Sequence, residues 1–156
     1  MEITIKKTSQ EDLNDILRLQ KECYKTEAEL HDEYDIPPLN QDLNSMLDDF
    51  SKMLILKGSI DGEIIGSVRG YKNDKTCYIG RLIVNKDYQN KGYGRKLMDS
   101  IEREFDGCDR YELFTGFKSQ KNLYLYKKLG YKEFKQERLS EKITFIYLEK
   151  LNAKEK

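Results

Sequence analysis

The chain has 156 residues, which is close to the commonest size of a single domain. Charged side chains make up 36% of it, but 28 basic and 28 acidic residues cancel, and 11 tyrosines and 6 phenylalanines supply apolar surface for a core. This composition excludes disorder driven by net charge, and the lack of a basic excess predicts that nucleic acid is not a partner.

The first half of the chain is predicted to form helices followed by a meander of strands. Residues 3–5 alternate as a strand does, and Ser9–Asp12 has the pattern of a capping box before an amphipathic helix. The acidic segment Glu27–Leu39 ends in two prolines and is expected to break helical continuity. After it we predict a helix over 40–50 and strands over 53–60, 63–71 and 76–84, with turns at Asp61–Gly62 and Asn73–Lys75.

The second half alternates helices with strands. We predict an amphipathic helix over 92–105 and a strand over 110–115. Ser119 is a plausible N-cap for a helix to Leu129, which Gly130 would end, and strands over 131–136 and 142–150 follow. The order β-α-α-β-β-β-α-β-α-β-β implies a mixed sheet with helices on its faces. We expect one domain over 3–150 and a short charged tail over 151–156.

The segment from Ile79 to Lys96 is the first candidate binding motif. A buried strand runs into a polar turn and then into Gly92 and Gly94, which open a helix whose free amides form an anion site. A third glycine for a dinucleotide fingerprint is missing, since Leu97 occupies that position, and no Gly-Lys-Ser/Thr is present. A tight turn feeding a helix remains the alternative. Positive charge beside the glycines comes from Lys91, Arg95 and Lys96.

A second motif, Ser119–Tyr131, is a short helix ended by a glycine and an aromatic residue. Together the two motifs resemble the GNAT superfamily of acyl-CoA-dependent N-acyltransferases. The phosphate loop of that superfamily, Gln/Arg-x-x-Gly-x-Gly/Ala, is matched by Gln89, Gly92 and Gly94. Its later helix ends Leu-Tyr-x-Lys-x-Gly-Phe/Tyr, which is matched by Leu125, Tyr126, Lys128, Gly130 and Tyr131.

The resemblance implies both a fold and an activity. The fold is an α/β (α+β), mixed but mostly antiparallel sheet of six to seven strands with about four flanking helices. The activity is transfer of the acetyl group of acetyl-CoA to a primary amine of a small molecule or peptide, by direct attack and without a covalent enzyme intermediate. Homodimers are common among relatives. Two alternatives stay open: a catalytically inert acyl-CoA sensor, and an interaction protein that binds no nucleotide.

The resemblance also implies a set of cofactor contacts. The strand around Val84 is expected to part from the next strand, so that its edge pairs with the pantetheine arm. Many relatives carry an asparagine seven residues before the tyrosine, where this chain has Ser119, and Asn122 follows three residues later. Which of the two contacts the cofactor is open. The expected contacts are Leu82, Ile83, Val84, Gln89, Asn90, Lys91, Gly92, Tyr93, Gly94, Arg95, Lys96, Ser119, Asn122 and Tyr126.

Catalytic roles also follow from the resemblance. Tyr126 is expected to act as general acid toward the leaving thiolate. The acidic segment is expected to border the acceptor pocket and to favour a cationic amine, although a solvated charged face is the alternative for any single residue there. The candidate bases or substrate contacts are Glu27, Glu29, His31 and Glu33.

Metal, membrane and secretion signals are weak. The three cysteines lie far apart, no C-x-x-C pair occurs, and His31 is the single histidine, so no usual zinc ligand set exists. The first residues lack an apolar signal core, and no stretch approaches the ~20 apolar residues of a membrane span. We therefore predict a cytoplasmic protein with reduced thiols, no metal and no membrane partner.

Overall fold

The computed structural model describes residues 2–153 of the chain. Seven strands and five α-helices form in this part, with single 3₁₀ turns at Gln10–Asp12 and Lys86–Tyr88. The strands are β1 Thr4–Lys7, β2 Leu54–Ile60, β3 Glu63–Asn73, β4 Thr76–Val84, β5 Arg110–Gly116, β6 Lys132–Arg138 and β7 Thr144–Leu151. The helices are α1 Leu13–His31, α2 Pro37–Asn40, α3 Leu43–Lys52, α4 Tyr93–Glu104 and α5 Gln120–Lys128.

All seven strands belong to one mixed sheet with the order β1-β2-β3-β4-β5-β7-β6. Every neighbouring pair is antiparallel except β4 and β5, which are parallel. The predicted fold class is therefore confirmed, including the strand number and the mostly antiparallel pairing. The helix count exceeds the expected four because the two prolines start the one-turn helix α2, where proline is tolerated at the first helical positions.

Helices cover both faces of the sheet because β2 alternates its side chains between them. Leu56 packs in one cluster with Leu97 of α4, whereas the preceding residue, Ile55, packs with Leu13 of α1 and Met46 of α3. These side chains are at most 3% exposed. Full burial of each is worth about 1.5–3 kcal/mol, so α1, α3 and α4 are held to the sheet mainly by apolar contact.

The parallel strands β4 and β5 stay together over only three residue pairs. Thr76–Tyr78 pairs with Arg110–Glu112, and from Ile79 onward β4 pairs with β3 alone. A bulge places one extra β4 residue opposite Val68, and Arg81 within it has a φ of 51°. Bulges bend a strand and re-aim its side chains, so the two strands part beyond this point, as the resemblance implies.

Several predicted boundaries differ from the structure. Helical continuity is broken within Glu27–Leu39 as predicted, but α1 extends into this segment as far as His31 and ends where Asp32 adopts φ 50°. The turn after β3 is tighter than predicted, because Asn73 still pairs with Thr76. The single-domain boundary at 150 stays a prediction; β7 includes residue 151, and residues 154–156 of the predicted tail lie outside the described part.

Candidate active site

The gap between β4 and β5 opens into a cavity of about 560 Å³. Leu82 and Gly80 line it from β4, and Leu113 and Thr115 line it from β5. A cavity of this size is within the usual range for a small-molecule site, and its walls carry a small polar set among apolar and aromatic side chains. The polar side chains of the lining include Tyr24, Glu27, His31, Asp49, Arg69, Arg81, Glu112, Thr115, Asn122 and Tyr126.

Glu27 is held at the cavity by hydrogen bonds from two residues that are distant in the sequence, Ser119 and Asn122. The Ser119 hydroxyl donates a short hydrogen bond to Glu27 Oε2, and Asn122 Nδ2 donates to Glu27 Oε1 at 3.2 Å. Ser119 occupies the N-cap position of α5 as predicted, but its side chain makes no capping bond and serves the carboxylate instead. Asn122 also donates to Thr115 Oγ1 at 3.3 Å, and it lines the cavity.

Tyr126 lies on the same side of the cavity as Glu27. Its side chain is 6% exposed, and its ring packs against Tyr131 with 6.0 Å between centroids. Burial raises the pKa of the Tyr126 hydroxyl well above its ordinary value, and the nearby Tyr24 and Glu27 raise it further. The hydroxyl therefore remains protonated and is a hydrogen-bond donor at any physiological pH.

His31 connects the end of α1 to the β5–α5 connection. The Lys118 amide donates to His31 Nε2 at 3.2 Å, so the proton of the neutral ring lies on Nδ1, which contacts the Glu27 carbonyl oxygen at 2.9 Å. A Cβ on Gly116 would lie 2.4 Å from the ring, which shows how closely the imidazole packs. Both ring nitrogens are engaged, which favours a structural role for this histidine over a base.

The other two candidate carboxylates lie elsewhere. Glu29 is exposed on α1, and Glu33 follows the helix and is only partly exposed. Neither lines the cavity, whereas Glu27 does. Helix periodicity explains the separation, because residues 27 and 29 differ by about 200° around an α-helix and cannot share a face.

The glycine loop has the backbone geometry that an anion site requires. Asn90 and Gly92 adopt positive φ values of 63° and 85°, and α4 starts immediately after them. The Lys96 amide makes the first turn's hydrogen bond to the Gly92 carbonyl at 3.2 Å, so the amides before it have no i−4 acceptor within the helix. The Gln89 side chain turns back to the end of β4, where its Nε2 donates to the Val84 carbonyl oxygen at 3.0 Å. The basic side chains of Lys91, Arg95 and Lys96 are exposed around this loop.

Close packing places this loop beside the cavity. A Cβ on Gly94 would meet Leu125 of α5 at 3.4 Å and Leu82 of β4 at 3.9 Å. Leu82 itself lines the cavity. The loop, the unpaired edge of β4 and the cavity are therefore contiguous.

Two cations of the cavity wall, the buried Arg69 and the partly buried Arg81, were not among the residues predicted from the sequence. Arg69 of β3 is 4% exposed and donates to Asp49 Oδ2 at 2.9 Å and to Gln20 Oε1 at 2.8 Å. Burial lowers the pKa of Arg69 to about 10, and the neighbouring Arg81 adds to the effect. Arg81 donates to Gln41 Oε1 at 2.9 Å. A charged residue inside the buried run from Ile65 to Gly70 was the available signal.

The fold and site thus define an α/β protein whose cavity opens between two parted parallel strands, beside a helix N-terminus. The model of the acetyltransferase (GNAT) family matches residues 13–131, and the chain belongs to that family. The prediction made from the two motifs is confirmed. A comparison with curated protein sequences gave no match.

Solved structures share the fold over nearly the whole chain. The PaiA N-acetyltransferase of Thermoplasma acidophilum, in complex with coenzyme A, is 20% identical with a TM-score of 0.81, covering 97% of this chain and 99% of its own. The ribosomal-protein-S18-alanine N-acetyltransferase of Escherichia coli is 15% identical, with a TM-score of 0.81 and coverages of 99% and 97%. The YncA protein of Salmonella typhimurium, with its cofactor acetyl-CoA, is 15% identical, with a TM-score of 0.78 and coverages of 100% and 97%.

Two further properties of the described residues concern membrane spans and metal ligands. No helix within residues 2–153 is both long and apolar enough to cross a membrane. The same residues contain no group of three or more histidine, cysteine, aspartate or glutamate side chains placed to hold a metal ion.

Proposed function

We propose that this protein is an N-acetyltransferase that transfers the acetyl group of acetyl-CoA to a primary amine. The observation that carries the proposal is the parting of β4 from β5 beside the glycine-opened start of α4, with Glu27 and Tyr126 facing the resulting cavity. Membership of an acetyltransferase family supports it, as do the coenzyme A and acetyl-CoA in the two similar structures.

The residues present fit a coenzyme A molecule. The β4 edge at 82–84 has no strand partner on the β5 side among the described residues, so its free backbone groups can pair with the pantetheine arm; the Val84 carbonyl is excluded, because it already accepts from Gln89 and Cys23. The amides from 90 to 95 and the neighbouring basic side chains suit a pyrophosphate. Asn122 lines the cavity while Ser119 is 2% exposed and bonded to Glu27, so we assign the pantetheine contact to Asn122. Bound acetyl-CoA would supply an activated acyl group as a thioester.

Glu27 and Tyr126 have complementary roles in this proposal. Glu27 accepts hydrogen bonds from the acceptor ammonium and draws its proton away, directly or through water, so that the nitrogen lone pair can form the new N–C bond. Tyr126 donates a hydrogen bond to the sulfur as the C–S bond breaks. Because its pKa is raised, Tyr126 stabilises the thiolate better as a hydrogen-bond donor than by complete proton transfer, and the sulfur takes its proton later.

The thiol nearest to the cofactor edge supports direct attack. Cys23 Sγ donates to the Val84 carbonyl oxygen at 3.5 Å. Burial raises the pKa of the Cys23 thiol to about 11, and Glu22 adds to the effect. A thiol that stays protonated at neutral pH is a poor nucleophile, so an acetylated cysteine intermediate is disfavoured.

In this proposal the acceptor amine enters the cavity to reach Glu27 and Tyr126. A small amine or the end of a peptide fits such a cavity better than the surface of a folded protein. The neutral overall charge favours neither nucleic acid nor a charged membrane surface as a partner. Cytoplasmic location and homodimer formation stay predictions. Gel filtration of the purified chain decides the second.

Release of coenzyme A thiol in the presence of acetyl-CoA and a panel of amines tests the activity. We expect release that requires both substrates. If no amine of a broad panel causes thiol release although the protein binds acetyl-CoA tightly, the result would favour the inert acyl-CoA sensor instead. The three protein thiols set the background of this assay, and Cys77 and Cys108 are buried.

Reversing a charge at the start of α4 is expected to weaken cofactor binding. Acetyl-CoA at ~100 times its dissociation constant should stabilise the protein by about 2.7 kcal/mol. Arg95→Glu places a negative charge beside the proposed pyrophosphate site and should raise that constant at least about 10-fold, consistent with loss of a charge-assisted contact. Arg103→Glu, the same change in the last turn of the same helix, is the control and should leave it unchanged. Equal constants for the two variants, measured by calorimetry, contradict the assignment.

The pH profile is expected to lack a descending limb up to pH 10. With an amino-acid amide as acceptor, the amine titrates near 7.7–8.0, so kcat/KM should rise and level off by about pH 9. A tyrosine of ordinary pKa would be half ionised at pH 10 and the rate would fall by half. Burial raises the pKa of Tyr126, so the plateau should persist. A twofold loss between pH 9 and 10 would show that the hydroxyl titrates normally.

A further inference from the structure

The cavity wall contains two guanidinium groups that have no role in the proposed acetyl-transfer chemistry. Arg69 extends from β3 and Arg81 from the bulge in β4, and both line the same cavity as Glu27 and Tyr126. Their charges are close enough that Arg81 contributes to lowering the pKa of Arg69. Two like charges near each other, one buried and one partly buried, are unfavourable unless an anion compensates them.

Three carboxylates line the cavity, but Glu27 is bonded to Ser119 and Asn122, and only Asp49 forms an ion pair with a lining arginine. Asp49 accepts from Arg69 and also from Gln41 Nε2 at 2.6 Å, and Glu112 is paired with Arg110 outside the lining. The ion pairs of residues 2–153 include none with Arg81, whose hydrogen bond goes to the neutral amide of Gln41. Arg69 Nε is buried and has no hydrogen-bond partner. The guanidinium pair therefore has one ion-paired carboxylate for two positive charges.

Tyr24 lines the same cavity as Glu27 and both arginines. Burial raises the pKa of Tyr24 to about 12; Arg81 opposes that shift, Glu27 adds to it, and Arg69 opposes it. Hydrogen bonds join the two arginines in one wall, because Arg81 donates to Gln41, and Gln41 and Arg69 both donate to Asp49. The cavity therefore holds the Glu27 carboxylate together with this pair of guanidinium groups.

We propose that the acceptor is a small amine that also carries a carboxylate, which Arg69 and Arg81 bind while its amino group lies at Glu27 and Tyr126. This inference rests on the proposed function and names its substrate class. It replaces the expectation of a purely cationic amine, since Glu29 and Glu33 lie outside the cavity. The body of the acceptor would face an apolar wall that includes Phe114, Phe145 and Tyr147.

Matched acceptors test the carboxylate. Phenylalanine is compared with phenylalanine amide, and leucine with leucinamide, with kcat/KM expressed per free-base amine. We expect a preference for the carboxylate of about 30-fold, the size typical of a buried charge pair. Arg81→Gln should reduce the preference toward one, mainly through KM, and Arg81→Lys should restore part of it. Arg18→Gln, an exposed cation on α1, is the control and should keep the full preference.

Each other outcome has a defined meaning. A ratio near one in the unaltered protein, or a ratio that Arg81→Gln leaves intact, overturns the inference while the acetyltransferase activity stands. A larger preference for phosphoethanolamine over ethanolamine than for phenylalanine over its amide assigns the site to phosphate and overturns it too. If no amine releases thiol, the proposed function fails. In that case the dissociation constants of N-acetylphenylalanine and of its amide, measured by calorimetry on the protein with coenzyme A, test the carboxylate site independently of activity.

Discussion

Tyr126→Phe is expected to lower kcat by about 10² to 10⁴-fold while leaving the dissociation constant of acetyl-CoA unchanged. The substitution removes only the hydroxyl, and the ring keeps its contact with Tyr131, so the fold should persist. Without the donor, the departing thiolate loses its hydrogen bond in a buried site where water does not replace it easily. Steady-state thiol release and calorimetry measure the two quantities.

The same helix offers a matched control for this change. Tyr124 is two residues earlier and 68% exposed, so Tyr124→Phe removes a hydroxyl far from the cavity and should leave kcat unaltered. Equal turnover for Tyr126→Phe and the unaltered protein would remove Tyr126 from the proposed role. A joint loss of kcat and of acetyl-CoA binding would instead indicate that the hydroxyl shapes the cofactor site.

Asp49→Ala is expected to lower the free energy of unfolding by about 3 kcal/mol. The alanine leaves the Arg69 guanidinium buried without its carboxylate, and breaking one side of a buried ion pair typically costs that much. Gln41 loses an acceptor in the same change. For a chain of this length, the melting temperature should fall by about 6–12 °C. Denaturant titration monitored by circular dichroism provides the measurement.

The neighbouring aspartate controls for helix propensity and charge. Asp48 pairs with Lys52 in solvent, with side chains 60% and 67% exposed, so Asp48→Ala should change stability by less than about 0.5 kcal/mol. If the two alanine variants have the same free energy of unfolding, the ion pair between Arg69 and Asp49 does not stabilise the fold.

Adding a small carboxylate such as acetate should stabilise the Asp49→Ala protein more than the control if the cavity accepts an anion.

Local pattern was enough to predict much of the site's backbone. The two glycines after a buried strand predicted a helix start with free amides, and Gly92 does adopt the left-handed conformation that the loop needs. Strand order along the chain and the amphipathic helices predicted a mixed sheet, because period and turn residues are local properties. The two motifs around Gly92 and Tyr126 indicated the family because their residues resemble its motifs in identity, order and spacing.

The composition of the cavity could not be predicted in this way. Its members come from eight helices and strands and extend along the chain from Tyr24 to Tyr147, and which of them meet depends on where β4 parts from β5. Glu27 was predicted as one of several equivalent carboxylates, and only the turn of α1 selected it from Glu29. Nothing local indicated that Ser119 would bond to Glu27 rather than cap its own helix.

The sequence by itself determined the fold class and the glycine-opened start of α4, because each follows from periodicity or from residues that are neighbours along the chain, and the resemblance of its two motifs indicated the family. Only the tertiary structure decided which charges share the cavity. Arg81, in the β4 bulge, donates to Gln41, which shares Asp49 with Arg69, and both arginines line the same cavity as Glu27. Such contacts depend on packing between distant segments, and they specify the acceptor that the cavity can hold.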